Sequence, residues 1–199
     1  MPNKIHPDRT TPPNDDERDI LFGVINRFLG YFTRDSQRQS QNNPESEYPF
    51  VPMDTRQVYD QIRFVRDLLA DTHPPDTVPS FLDIGCGIGN VLLFAELMEF
   101  TVSGLEKDEY PCSIATRLIG PDQIAQQDLW EYDDFHTFDV IYYFRPFHDG
   151  AMERRFERYI EDQIKPGGIL IANRKMSQEI ETDPRFSRLH PTMPIWQKV

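Results

Sequence analysis

Phe81-Leu82-Asp83-Ile84-Gly85-Cys86-Gly87-Ile88-Gly89-Asn90 decides how this chain is read. Apolar residues run into an aspartate, glycines then alternate, and an apolar run begins at Val91. That order reads as strand, tight turn, helix. Glycine lacks a Cβ, so Gly85, Gly87 and Gly89 can take positive φ and let a ligand approach the main chain. The unpaired N–H groups at the helix start suit a carboxylate or another anion. A dinucleotide fingerprint would need glycine where Asn90 stands, and a phosphate-cradling loop would need a Gly-Lys-Ser/Thr that the turn lacks.

Downstream the pattern alternates. Residues 91–98 read as a helix apolar nearly all round, as expected against a sheet. Thr101–Glu106 is a second strand ending in an acid. Pro111 suits the first turn of the next helix, Ile114, Ala115 and Leu118 give it a buried side, and Gly120-Pro121 stops it. Ile124–Gln126 is a short third strand, followed by Gln127-Asp128. Residues 138–144, β-branched and aromatic, form the fourth strand and run into Arg145-Pro146-Phe147-His148-Asp149. In the helix over 152–164, Arg154, Arg155 and Arg158 alternate with Glu153, Glu157, Glu161 and Asp162, which predicts a solvated face. Ile169–Asn173 is the fifth strand, and 186–189 and 195–199 pair as a closing hairpin. The expected fold is α/β: a mostly parallel twisted sheet of six or seven strands with helices on both faces, plus an N-terminal helical extension.

Upstream, residues 1–16 are rich in Pro, Asn, Asp and Thr and read as a disordered tail. Over 17–32, Leu21, Ile25, Phe28, Leu29 and Phe32 share a helix face, though Gly23 and Gly30 weaken the helix. That face packs on the domain's own core, covers the site as a lid, or joins a homodimer. Its polar side is not basic enough for a membrane surface. Residues 33–47 read as a polar linker, so 17–50 forms one N-terminal unit and 51–199 the ligand-binding domain. Tyr48-Pro49-Phe50-Val51-Pro52-Met53 takes an extended path. Asp54 caps a helix over 55–70 with an apolar stripe of Val58, Ile62, Val65 and Leu69, which the turn at His73-Pro74-Pro75-Asp76 ends.

The 199 residues suffice for one domain with a real core. The net charge of −12 argues against affinity for naked nucleic acid, since neutralising phosphates takes a cationic face. Cys86 and Cys112 give no disulfide framework, which fits a reducing cytoplasm. No secretory signal, membrane-length apolar run or internal repeat stands out, and no metal is expected.

Asp83-x-Gly85-x-Gly87-x-Gly89 after a strand resembles motif I of the class I S-adenosylmethionine-dependent methyltransferases. The likeness extends over residues 54–199 through the acid at Glu106, Gln127-Asp128, the fourth-strand exit and the turn and strand at 165–173. It implies S-adenosyl-L-methionine as cofactor, held by Asp83, Gly85, Cys86, Gly87, Gly89, Asn90, Glu106, Lys107, Gln127, Asp128 and Tyr143. Glu106 would accept both ribose hydroxyls, because a carboxylate can take two hydrogen bonds beside the first turn. Asp128 would bond the adenine amino group, or cap the short turn through Trp130, or do both. The Tyr48-to-Asp54 approach, Gly-Leu-Glu-Lys at 104–107 and the aromatic-Pro-Phe exit also resemble small bacterial relatives of the non-SET histone lysine methyltransferases. Those usually carry Asn where this chain has Arg145. The Asn-Pro-Pro-aromatic signature of amino-directed nucleic acid methyltransferases is not met either.

The function this implies is methyl transfer to a small molecule or a protein side chain. The alternatives are a cofactor-binding partner module without turnover, and an RNA-directed enzyme using Arg174, Lys175, Arg185, Arg188 and Lys198. Candidate catalytic residues at the fourth-strand exit are Tyr143, Arg145 and His148, of which only His148 has an ordinary pKa near neutrality. Arg145 would hold an acidic substrate or pair with Asp149.

Overall fold

A computed structural model describes residues 14–72 and 77–199. The expected tail over residues 1–13 and the turn at His73-Pro74-Pro75-Asp76 lie outside the described residues.

Helix α1 (Asp15–Gln39) begins inside the stretch expected as tail and runs seven residues past the expected end at 32. Its start is a capping box: the Asn14 side chain accepts from Glu17 N at 2.9 Å, and the Glu17 carboxylate accepts from Asn14 N at 3.1 Å. Asp15, Asp16 and Glu17 complement the positive end of the helix dipole. The extra turns include Arg34, Gln37, Arg38 and Gln39, polar residues of good helix propensity. Replacing Asn14 by alanine is expected to cost about 1 kcal/mol, read by thermal denaturation. Phe22, Ile25 and Leu29 are buried, and the Phe22 ring meets Tyr59 at 5.2 Å and Phe94 at 6.2 Å. The apolar face of α1 therefore packs on the domain itself. Helix α2 (Thr55–Thr72) starts as expected, with Asp54 Oδ1 accepting from Gln57 N at 2.9 Å.

The sheet has seven strands: β1 (Ser80–Ile84), β2 (Thr101–Glu106), β3 (Ile124–Gln126), β4 (Val140–Phe144), β5 (Ile169–Asn173), β6 (Phe186–Arg188) and β7 (Ile195–Lys198). Their order is β3-β2-β1-β4-β5-β7-β6, with β1 to β5 parallel and the β6–β7 hairpin antiparallel at one edge. Helices α3 (Asn90–Leu97), α4 (Glu109–Leu118) and α5 (Ala151–Gln163) make the crossovers. Because side chains alternate along a strand, the sheet feeds two cores. Phe81, Val140, Tyr142 and Ile171 face α1, α2 and α3. Leu82, Ile141, Tyr143 and Leu170 face Phe156 and Ile160 of α5.

Helix α5 departs from expectation. Glu153, Glu157 and Glu161 are buried rather than solvated. Glu157 accepts from Met176 N, from Ser177 N at 2.8 Å and from Lys175 Nζ at 3.0 Å. Glu161 pairs with the same ammonium at 2.8 Å, and Glu153 accepts from Phe147 N at 3.1 Å. These carboxylates find their partners, backbone N–H groups and the Lys175 ammonium, in the segments that follow β4 and β5, which helical spacing cannot reveal.

The basic residues near the C-terminus do not form a cationic face. Lys175 is buried between Glu157 and Glu161, and Arg188 pairs with Glu181. Arg185 lies 2.6 Å from Asp162 and 2.7 Å from Asp183. Lys198 donates to the Glu161 and Asp162 carbonyls.

Candidate cofactor site

The site lies at the carboxyl ends of β1, β2, β4 and β5, where an open α/β sheet binds ligands. Gly85 and Cys86 both donate their N–H to Leu105 O at 2.9 Å, which staples the glycine turn to β2. Gly85 holds φ 72°, and a Cβ there would meet nothing within 4 Å, so the bare main chain faces open cavity. Gly87 N donates to Glu106 Oε2 at 2.9 Å, and Asp108 N donates to Glu106 Oε1 at 2.8 Å. Each carboxylate oxygen keeps a further lone pair for a ligand.

Burial outweighs those two donors and pushes the Glu106 carboxyl up to about 7. Asp83 is 3% exposed. Burial first, and then the Glu106 charge, raise its pKa well above the ordinary range. No described residue donates a hydrogen bond to the Asp83 carboxyl. Asp108 is also buried; its Oδ1 accepts from Gln41 N at 3.0 Å, while its Oδ2 has no partner among the described residues. A glycine cradle beside acids short of donors fits a ligand that carries hydroxyl donors and a positive charge, as S-adenosylmethionine does.

The expected cofactor residues divide. Asp83, Gly85, Cys86, Asn90, Glu106, Lys107, Gln127 and Asp128 line the cavity. Asp128 also caps the short 3-10 turn Leu129–Glu131, its Oδ1 accepting from Trp130 N at 3.0 Å. Gly87 contributes its N–H rather than a wall. Gly89 serves packing instead: a Cβ there would lie 3.3 Å from Ala115, where α3 passes close to α4. Tyr143 is a correction. Strand alternation turns its side chain to the α5 face, where its ring meets Phe156 at 4.9 Å and its hydroxyl lies buried near Glu157 and Glu153. Its neighbours Tyr142 and Phe144 line the cavity.

The stretch expected as a polar linker ends as a roof. Residues 40–53 cross the cavity mouth. Ser46 O accepts from His148 N at 2.9 Å and Tyr48 N donates to Pro146 O at 3.2 Å, around an antiparallel bridge between Glu47 and Phe147. Glu47 Oε1 accepts from Lys107 Nζ at 2.6 Å. Asn42 Nδ2 donates to Tyr48 O at 2.9 Å, and Tyr142 Oη donates to Met53 Sδ at 3.0 Å. The Phe50 ring rests on Gly87, where an added Cβ would stand 2.1 Å from the ring. Beneath this roof is a cavity of ≈ 350 Å³.

Of the catalytic candidates, Arg145 lines the cavity. It donates to Asp149 Oδ1 at 2.8 Å and to Tyr48 Oη at 2.6 Å. His148 stays outside the lining, its ring 4.1 Å from that of Tyr48. Sequence reading missed Asp108, Tyr142 and the roof residues, and it named Arg174 only as an RNA contact, whereas Arg174 lines the cavity. Only Tyr142 carried a usable signal, the period of two that puts it on the same face as Phe144.

Residues 82–172 match the family model of a methyltransferase domain. No curated protein matches the chain in a sequence comparison. Among solved structures, a protein of Staphylococcus aureus named as a candidate caffeoyl-CoA O-methyltransferase is 14% identical, with a TM-score of 0.53 over 93% of this chain and 100% of its own. An RNA methyltransferase from Salinibacter ruber, solved with S-adenosyl-L-homocysteine, is 17% identical, with a TM-score of 0.49 over 74% of this chain and 92% of its own. The plantazolicin methyltransferase BpumL, also solved with that product, is 16% identical with a TM-score of 0.47 over 79% of this chain. This chain spans about half, 52%, of the BpumL chain. The family match runs from the strand before the glycine turn to the strand after α5, and the sheet order agrees with it: residues 82–172 form a methyltransferase domain, and the fold is that of the class I, Rossmann-like methyltransferases.

Proposed function

We propose that this chain transfers the methyl group of S-adenosylmethionine to a small-molecule acceptor. The observation that carries this reading is the pair of buried carboxyls, Asp83 and Glu106, set beside a bare glycine turn, one of them with no donor of its own. Glu106 serves the ribose hydroxyls, Asp83 the charged amino-acid end, and Asp128 and Gln127 the base. When bound, the sulfonium supplies an electrophilic methyl group. The protein's part is to align the acceptor with it and exclude water. The roof over 40–53 suits that task and favours a small acceptor over a macromolecule.

Calorimetry with S-adenosyl-L-homocysteine tests the reading. Wild-type protein is expected to bind saturably, and Glu106→Gln to bind about 10- to 100-fold more weakly, the loss of charge-assisted hydrogen bonds to the sugar. Equal affinity in the two proteins sinks the assignment.

A further inference from the structure

Strands β4 and β5 end in register, Phe144 opposite Asn173. The next residue of each strand, Arg145 and Arg174, therefore leaves the sheet beside the other. Both hold left-handed backbone, φ 28° and 58°. That conformation costs a side-chain-bearing residue about 1–2 kcal/mol, and such strain gathers at functional sites. Both arginines line the cavity.

The backbone around Arg174 is fixed on each side. Asn173 exchanges two hydrogen bonds with Gln61, at 2.8 Å and 3.1 Å. Lys175 is held by Glu157 and Glu161. Between these anchors the Arg174 guanidinium has no hydrogen-bond or ion-pair partner among the described residues. Arg174 is exposed, so its guanidinium is open to a ligand that enters the cavity. Arg145 is tied to Asp149 and Tyr48, yet its planar fork keeps donors to spare.

The arginines lie on the β4–β5 side of β1, whereas Glu106 and Asp128 lie on the β2–β3 side. They are thus placed beyond the cofactor's sugar, where the acceptor must come. The walls there are Tyr48, Phe144, Pro146 and Phe147. We propose that Arg145 and Arg174 clamp a carboxylate, and that the acceptor is a small aromatic acid held by that group against these rings. The proposal rests on the methyltransferase reading. Arginine matches a carboxylate bidentately, and an amide of the same shape leaves the forks unpaired.

The test uses the full chain saturated with S-adenosyl-L-homocysteine. Benzoate, 4-hydroxybenzoate, cinnamate and indole-3-acetate are titrated by calorimetry, each beside its primary amide. At least one acid is expected to bind ten times more tightly than its amide. Arg174→Met is expected to weaken that acid at least tenfold while changing affinity for the homocysteine product less than twofold. The proposal is overturned if no acid binds, if acid and amide bind alike, or if Arg174→Met keeps the acid. It is also overturned if Arg174→Met loses the product, since the guanidinium then serves the cofactor's own carboxylate. A wild-type protein that does not bind the product at all overturns the parent reading, and this one with it.

Discussion

Lys175→Met is expected to lower the stability of the folded chain by about 3–5 kcal/mol, the usual cost of stranding a buried charge. The ammonium is 4% exposed and is shared between Glu157 and Glu161, whose side chains are 0% and 5% exposed. Removing it leaves two acids in a low-dielectric site, and folding must then either bury their charge or bind protons to neutralise them. For a chain of this length the melting temperature should fall by roughly 10 °C. The triple replacement Glu157→Gln, Glu161→Gln, Lys175→Met removes the charges together and should recover part of the loss. Chemical denaturation of the single and triple variants decides the matter. A single variant within about 1 kcal/mol of wild type would show that the cluster is not stabilised as a pair.

A second large effect is set by pH. Burial holds the Glu106 carboxyl near 7 and the Glu153 carboxyl near 8, against an ordinary 4.5, and raises Asp83 and Glu161 as well. The folded chain therefore binds more protons than the unfolded chain between about pH 4.5 and pH 8. The stability these groups contribute is complete below their ordinary pKa and is lost as pH rises through their folded values. Between pH 5 and pH 9 the loss from Glu106 and Glu153 should reach about 6 kcal/mol. Asp139 opposes this at the acid end: its partial burial is outweighed by Lys165 and Ser80, which lower it, so that its contribution is lost as pH falls through the depressed value. Stability should thus peak on the acid side of neutrality. Cofactor affinity should move the other way, rising about tenfold from pH 6 to pH 8 as Glu106 becomes the ionised acceptor that sugar hydroxyls prefer. Denaturant midpoints at pH 5, 7 and 9, with Glu153→Gln as the variant that flattens the upper part, check the first trend. A midpoint constant or rising with pH contradicts it.

Much of the architecture was legible because its signals are local. The glycine alternation, the apolar runs and the Gly-Pro and Pro-Gly punctuation mark strands and turns wherever they occur, and the parallel order follows from their alternation with helices. Asp54 and Asp128 were read as caps from their neighbours alone, and both cap. What escaped was non-local. The three glutamates of α5 sit at spacings that also describe a solvated surface; only the approach of the chain after β4 and after β5 makes them interior. Tyr142 and Tyr143 differ by one residue, and the strand's register decides which one meets the cavity. Arg174 carried no motif, since its significance comes from the register of β5 against β4. The polar run from 33 to 47 was read by composition, whereas hydrogen bonding to Asp108 and His148 makes its end part of the wall.

The crossing segment joins two places that a catalyst must open separately if it is to exchange ligands independently. Its Glu47 is tied to Lys107 at one rim, and the adjoining Tyr48 to Arg145 at the other. Peeling that segment back uncovers both rims at once. Under the proposed function, donor and acceptor share that doorway, and a spent cofactor that leaves through it also frees whatever molecule lies beside it.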